Sequence, residues 1–98
     1  MTASSDENDA DRGLYGITVA AGLVGMGVQN LRLYEARGLL EPSRTAGGTR
    51  RYSDNDLARL RRIGELLEEG LNLAGIGKVL GLESRVRSLE SAARRRRR

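Results

Sequence analysis

The apolar positions between residues 28 and 38 recur with the spacing of an α-helix. Val28, Leu31 and Leu33 predict a buried stripe, and polar side chains occupy most of the other positions. Gly38 follows, and glycine ends helices readily because it adopts the left-handed conformation at little cost. We therefore predict a short amphipathic helix, with further elements on either side of it.

The polar face of this helix carries Gln29, Asn30 and Arg32. Gln and Asn can form two hydrogen bonds with the edge of adenine, and Arg can do the same with guanine. The face therefore predicts contacts with DNA bases. On composition alone, an amphipathic surface helix with a solvated polar face explains the segment equally well.

A shorter helix is predicted before this one. Thr18 is a suitable N-cap and Gly25 a suitable stop. The apolar positions between them recur at core spacing and are Val19, Ala20, Leu23 and Val24. Two short helices separated by about three residues, with glycine in the turn, are typical of a helix-turn-helix.

Residues 43–52 predict a small β-hairpin with its turn at residues 46–48, after Pro42 has blocked further helix. Its arms carry Arg44, Arg50 and Arg51. A hairpin attached to a helix-turn-helix is called a wing, and basic residues on it can contact the phosphate backbone. A solvated loop is the alternative interpretation.

Two further helices complete the predicted domain. Ser53 caps the first, Gly70 ends it, and Asn72 caps the second. The apolar faces consist of Leu57, Leu60, Ile63, Leu66 and Leu67 in the first helix and Leu73, Ile76, Val79 and Leu80 in the second.

The last apolar positions step alternately by three and four residues, which is the pattern of a coiled-coil seam. This seam consists of Val79, Leu82, Val86, Leu89 and Ala93. Burial of a large aliphatic side chain contributes about 1.5–3 kcal/mol, so two heptads barely offset an association cost of about 4–15 kcal/mol. We therefore expect a weak homodimer that DNA strengthens, with a helix folded back on its own domain as the alternative.

Charge divides the chain unevenly. Residues 1–11 hold four acidic and no basic side chains, whereas residues 12–98 hold 17 basic against 9 acidic ones, and all but one of the bases are Arg. The basic excess indicates a polyanionic partner. We predict a disordered acidic arm over residues 1–13, a DNA-binding domain over 14–82, a dimerisation helix over 83–93 and a disordered basic tail over 94–98.

The sequence contains neither Cys nor His. We therefore expect no disulfide, no metal site, no cofactor and no enzyme activity. The apolar runs are far shorter than the roughly 20 residues that span a bilayer, and no secretory signal is present. These features predict a cytoplasmic protein without a membrane partner.

Taken in order, residues 15–20, 28–35, 38–42 and 48–53 resemble the DNA-binding domain of the MerR family of bacterial transcription regulators. The combination of Leu-Arg-x-Tyr-Glu with Arg-x-Tyr-Ser at this spacing is specific to that family. Residues 47–53 and 70–76 further resemble its actinobacterial heat-shock repressors.

The resemblance implies a mainly α-helical fold, a winged helix-turn-helix of the MerR type with a short C-terminal coiled-coil helix. It implies a dimer, joined by an antiparallel coiled coil, that binds and distorts a pseudo-palindrome. The residues carried over to DNA contacts are Gln29, Asn30, Arg32 and Tyr34 in the recognition helix and Arg50, Arg51 and Tyr52 in the wing. Arg44 fits by charge only.

Two positions depart from the family pattern. Gly27 stands where the family usually has a capping Ser, Thr or Pro, so the recognition helix should begin less firmly. Leu33 replaces the first of two tyrosines, which removes one phosphate contact.

The function expected from these features is sequence-specific binding of double-stranded DNA as a transcription regulator associated with the bacterial nucleoid. A repressor or architectural factor fits better than a ligand-sensing activator. One alternative is a phage-type excisionase, and another is a chaperone modulator of MerR-like fold that binds a co-chaperone and no DNA. A protein co-regulator such as a chaperone is a further candidate partner.

Overall fold

A computed structural model describes residues 10–97 of the chain. Its elements are α1 (Ile17–Val24), α2 (Val28–Ala36), β1 (Ser43–Arg44), β2 (Arg50–Arg51), α3 (Asp54–Glu68) and α4 (Leu73–Arg96). α1 packs against α2 and α3, and α3 packs against α4. This architecture confirms the predicted mainly α-helical fold with a small antiparallel hairpin.

α1 begins earlier than its sequence indicated. Gly16 is the N-cap and makes no side-chain hydrogen bond, so the prediction that Thr18 caps this helix is wrong. Gly16 directly follows Tyr15, whose backbone pairs with Tyr52 and thereby fixes where the helical turn can begin. Gly25 has φ +70° and ends the helix as predicted.

α1 buries small side chains and exposes large ones. Ala20 and Ala21 lie in the core, whereas Val19 and Leu23 are 55% and 49% exposed, which corrects their assignment to the core. Val19 and Leu23 are one turn apart and share the outer face of the helix. Alanine on the inner face lets α1 approach its neighbours closely.

α2 buries Val28 and Leu31 toward the core as predicted, but not Leu33. Leu31 and Tyr34 are buried, whereas Leu33 is 40% exposed. Residues two apart on a helix lie on nearly opposite sides, so Leu33 cannot share the face of Leu31. The buried stripe instead runs from Val28, which packs against the core, through Leu31 to Tyr34.

The predicted hairpin is confirmed. β1 and β2 are antiparallel, with Ser43 opposite Arg51 and Arg44 opposite Arg50. We call this hairpin the wing.

Tyr52 ties the wing to the segment before α1. The backbone N–H of Tyr52 donates to the Tyr15 carbonyl at 2.7 Å, and the N–H of Tyr15 donates back at 3.0 Å. Gly13 approaches the wing so closely that a β-carbon there would lie 2.5 Å from Ser43 Oγ and 2.7 Å from Arg51 Cβ. Only glycine fits this contact without a shift of the backbone.

α3 forms the centre of the core and begins at the predicted cap. Ser53 Oγ accepts a hydrogen bond from the Asp56 N–H at 3.0 Å, and the Asp56 carboxylate accepts one from the Ser53 N–H at 2.9 Å. This reciprocal capping box satisfies amides that the helix leaves unpaired. The buried side chains of α3 are Leu57, Leu60, Ile63 and Leu66.

α4 is one uninterrupted helix, so the predicted boundary between residues 82 and 83 falls inside it. Asn72 caps it as predicted, accepting from the Gly75 N–H at 2.8 Å. The helix continues through residues 94–96, where a disordered tail was expected, and that prediction is wrong for these residues. Arginine favours helix, and positive charge is favourable at a helix C-terminus. Residue 98 lies outside the described part.

The two halves of α4 differ in burial. Ile76 and Leu80 are buried in the core, whereas Leu82, Val86 and Leu89 are 62%, 51% and 61% exposed. The helix therefore does not fold back over its own domain, which removes the alternative considered for the seam.

Arg62 links α3 to α4. Its Nη2 lies 2.6 Å from Glu83 Oε2, and its Nη1 lies 2.8 Å from Glu65 Oε1. The hydrogen bond from Arg62 lowers the pKa of Glu83. The ion pair between Arg62 and Glu83 therefore stabilises the fold at neutral pH. This contribution is lost as the pH falls through the lowered pKa of Glu83.

The predicted acidic arm lies mostly outside the described residues. Residues 10–13, which were assigned to it, belong to the ordered structure instead: the Asp11 carboxylate accepts a hydrogen bond from Asn55 Nδ2, and Gly13 contacts the wing. This corrects the boundary at residue 13, because contacts with α3 and the wing hold these residues. In the described range, no helix has the length and apolar character needed to cross a membrane.

Leu60→Ala tests the position of the core. Leu60 has no exposed surface, so its truncation should lower the free energy of unfolding by about 2–5 kcal/mol. The matched control is Leu23→Ala, because the Leu23 side chain is half exposed. This substitution should lower the free energy of unfolding by much less than that range. Urea unfolding measures both, and equal losses would contradict the assignment of the core to α3.

Candidate nucleic-acid interface

The outer face of α2 presents the predicted base-reading residues to solvent. Gln29, Asn30 and Arg32 are all exposed. Their polar groups are free of hydrogen bonds and ion pairs with other side chains among residues 10–97. The helix therefore offers amide and guanidinium groups that can pair with base edges.

Two more residues belong to this face, and the sequence pattern misassigned the first of them, Leu33. Leu33 and Arg37 are exposed and lie one turn apart, beside the polar residues. An exposed Leu can contact a thymine methyl group, and an exposed Arg can contact phosphate. The sequence did contain a signal that Leu33 is exposed: Leu31 and Leu33 are two residues apart, and residues at that spacing in a helix cannot share one buried face.

The three wing arginines differ in their partners. Arg51 is exposed and forms no ion pair within the described range. Arg44 Nη2 lies 2.8 Å from Glu35 Oε2, and Arg50 Nε donates to Glu35 Oε1. Glu35, at the end of α2, thus holds two of the three wing charges that the sequence assigned to phosphate contacts.

Competing effects act on the Glu35 carboxyl. Partial burial raises its pKa, but the hydrogen bond and charge of Arg50, together with those of Arg44, outweigh the burial and lower the pKa overall. The carboxylate is therefore ionised at neutral pH. Its ion pairs are lost only as the pH falls through that lowered pKa.

Tyr34 and Tyr52, unlike the exposed residues that were assigned to DNA contacts, are buried, and a DNA contact of either residue stays a prediction. Tyr34 is 4% exposed and Tyr52 has no exposed surface. Both rings belong to the buried core, and Tyr15, the third aromatic residue of the sequence, packs against that core. Burial raises the pKa of both phenols.

Tyr52 lies where the recognition helix meets the wing. Besides burial, the charges of Glu35, Arg50 and Arg32 all influence the pKa of its hydroxyl. That hydroxyl is buried and has no hydrogen-bond partner among residues 10–97. Because Glu35 of α2 also forms ion pairs with Arg44 and Arg50 of the wing, α2 and the wing are adjacent parts of one surface.

The seam of α4 forms a separate surface. A shallow, mainly apolar groove is lined by Val79, Leu82, Glu83, Val86 and Arg87. Ala93 of the predicted seam is also exposed, one turn beyond Leu89. The outer part of the predicted seam thus lies along one exposed strip.

The described residues offer no cluster of acidic side chains that could hold a metal ion. Two carboxylates near α2 and the wing are instead engaged otherwise: Asp56 caps α3, and Glu35 forms ion pairs with arginines of the wing. The chemistry available at this surface is recognition of anions and of hydrogen-bonding edges.

Comparison with protein families matches residues 15–82 to the family described as MerR HTH family regulatory protein. The putative heat shock protein HspR of Streptomyces coelicolor is 46% identical over 84 residues, which cover 85% of this chain and 56% of that protein. The transcriptional regulator GlnR of Bacillus anthracis is 40% identical over 67 residues, covering 68% of this chain and 52% of GlnR. The chain thus spans about half the length of these curated relatives.

Comparison with solved structures also finds proteins of similar fold. The N-terminal part of MtaN, the Bacillus subtilis multidrug transporter activator, superimposes with a TM-score of 0.65 at 30% identity, covering 84% of this chain and 87% of that one. HiNmlR, a MerR family regulator lacking the sensor domain and bound to promoter DNA, superimposes with a TM-score of 0.63 at 28% identity, covering 82% and 67%.

Tyr52→Phe tests the burial of the unpaired hydroxyl. Because a buried donor without a partner costs about 1–3 kcal/mol, its removal should leave the free energy of unfolding unchanged or raise it by about 1 kcal/mol. Tyr15→Phe is the control, since the Tyr15 hydroxyl donates to Asp54 Oδ1 at 2.9 Å and its loss should be mildly destabilising. A larger destabilisation at Tyr52 than at Tyr15, measured by urea unfolding, would show that the Tyr52 hydroxyl has a partner.

Proposed function

The chain belongs to the MerR family of helix-turn-helix regulatory proteins, and we propose that it binds double-stranded DNA and regulates transcription as a repressor or architectural factor. The observation that carries this proposal is the exposed row of Gln29, Asn30 and Arg32 on α2, next to the exposed Arg51 of the wing. Regulatory names among its relatives and a DNA-bound structural neighbour support it.

α2 reads the sequence in this proposal. A helix in the major groove presents its exposed face to the base edges, where Arg pairs with guanine and Gln or Asn with adenine. Leu33 adds an apolar group to the same face. The buried residues Leu31 and Tyr34 hold the helix at a fixed orientation on the core.

The wing contacts the backbone beside that groove. Arg51 is the wing arginine whose charge is uncompensated by an ion pair in the described structure. Phosphate contacts fix the register of the protein on DNA and carry little sequence information. The wing therefore positions the domain, and α2 discriminates between sequences.

Two copies bind a pseudo-palindrome in this proposal. A half-site contacted by a single short helix gives limited specificity, whereas a dimer reads two half-sites. The exposed Leu82, Val86 and Leu89 supply the dimer contact on α4. A repressor of this kind acts by occupying its DNA site. One relative, CarH of Myxococcus xanthus, is named a transcriptional repressor. It is 40% identical over 78 residues, which cover 74% of this chain and 26% of CarH.

These points favour transcription regulation over an excisionase or a chaperone modulator, because GlnR and CarH are named as transcriptional regulators and the polar face of α2 is exposed. Nucleoid association and a chaperone as co-regulator stay predictions from sequence.

Arg32→Ala tests the recognition helix. Loss of one two-pronged base contact should weaken binding to a duplex selected by the wild-type protein by about 1–3 kcal/mol, and should relax the preference at one base pair. Arg85→Ala is the matched control, since Arg85 is an exposed arginine on α4, away from this surface. Equal affinity of wild type and Arg32→Ala in fluorescence anisotropy at the same salt would refute the assignment of α2.

Leu89→Asp tests the dimer contact. The substitution should leave the chain folded, because Leu89 is 61% exposed, but remove cooperative binding to two half-sites. Ser88→Asp places the same charge on the neighbouring exposed position and should have little effect. Sedimentation with and without DNA measures the assembly, and a dimer that survives Leu89→Asp would contradict the role given to this strip.

A further inference from the structure

Glu35 lies between the recognition helix and both strands of the wing. Its Oε2 accepts from Arg44 Nη2 at 2.8 Å, and its Oε1 accepts from Arg50 Nε. Arg44 also donates through Nη1 to the Gly48 carbonyl at 3.0 Å, inside the wing turn. A single carboxylate therefore connects α2 with β1, β2 and the turn between them.

The register of the wing explains why a carboxylate is needed there. Arg44 and Arg50 are directly opposite each other across the two strands. Like charges at opposite positions repel and destabilise a hairpin. Glu35 lies between the two guanidinium groups and offsets one of their two positive charges, and its side chain is only 20% exposed, which limits screening of the ion pairs.

The same contact decides which arginines can reach phosphate. Arg50 has a side chain 31% exposed and is engaged by Glu35, and Arg44 is engaged by both Glu35 and Gly48. Arg51 points to solvent without such a partner in the described structure. A charge count of the wing therefore overstates its capacity for phosphate contacts.

We propose that Glu35 is a positioning and specificity residue, which holds the wing on the recognition helix and withholds Arg44 and Arg50 from the DNA backbone. This inference rests on the proposed DNA binding. Arg51 is then the phosphate-contacting arginine of the wing. By limiting the number of phosphate contacts, Glu35 limits nonspecific binding, which depends on that number, and so raises the share of affinity that comes from base contacts.

Glu35→Gln tests the proposal while keeping the size of the side chain and a hydrogen-bond acceptor. Binding is measured on a random-sequence DNA duplex and on a duplex selected by the wild-type protein, over about 50–200 mM salt. Release of Arg44 and Arg50 should steepen the dependence of log K on log salt by about one to two units on random DNA. The ratio of selected to random affinity should fall severalfold.

Glu65→Gln is the matched control. Glu65 is an exposed partner of Arg62 on α3, and Arg62 keeps its contact with Glu83 when Glu65 is replaced. This variant also removes one negative charge from the protein. Its salt slope should equal that of the wild type, so a general effect of net charge is separated from the local effect of Glu35.

A double substitution, Arg44→Ala with Arg50→Ala, gives the second test and does not depend on the folding of Glu35→Gln. In the wild-type background it should leave the salt slope on random DNA unchanged. In the Glu35→Gln background the double substitution should abolish the increase in salt slope that Glu35→Gln causes. Arg51→Ala should lower the slope by about one unit in both backgrounds.

The outcomes separate this inference from the proposed function. If the wild-type protein binds neither duplex at low salt, the proposed function is wrong. If the wild type binds, an unchanged slope for Glu35→Gln overturns the role of Glu35, and so does a drop of one to two units for the double arginine variant in the wild-type background.

Discussion

Tyr52 is buried where the wing, the segment before α1 and the first turn of α3 meet. Its backbone exchanges hydrogen bonds with Tyr15, and the next residue, Ser53, caps α3. A hairpin with two residues in each strand is not stable alone in water, so the wing depends on this anchorage. The recognition helix packs on the same core through Leu31 and Tyr34. Burial on this shared core, together with the ion pairs of Glu35 with Arg44 and Arg50, therefore fixes the two parts of the candidate DNA surface relative to each other.

The sequence predicted the elements whose signals are local. The caps at Ser53 and Asn72 and the stop at Gly25 depend on backbone chemistry within one turn, and each lies where it was expected. Which face of a short helix is buried depends on tertiary packing, and there the sequence failed. Tyr34 was assigned to DNA contacts by its position in the family pattern, and the sequence did not indicate that its ring is buried in the core. Leu33 was assigned to the core because it is apolar, but the packing of α2 leaves it exposed.

The sequence also did not show which charges of the candidate surface are paired. Composition counts every arginine alike, yet pairing across the fold makes them different. Glu35 is nine residues from Arg44 and fifteen from Arg50 along the chain, so no local pattern announces that it engages both. In the same way, Arg62 is engaged by Glu65 and Glu83. The positive charge available to a polyanion is therefore smaller and more localised than the sequence suggests, which favours recognition by geometry over attraction by net charge.

The continuity of α4 has a consequence for the proposed dimer. Ile76 is buried in the core and Leu89 lies on the exposed strip, with unbroken helix between them. At about 1.5 Å per residue, that segment spans roughly 20 Å. The association surface is thus attached to the core without a hinge, and the distance between two recognition helices would follow from the geometry of the paired helices. A few exposed aliphatic side chains supply a binding free energy comparable to the cost of association. DNA with half-sites at the matching spacing would therefore shift the balance toward the dimer, whereas DNA with another spacing would not, so the short strip makes assembly itself sensitive to sequence.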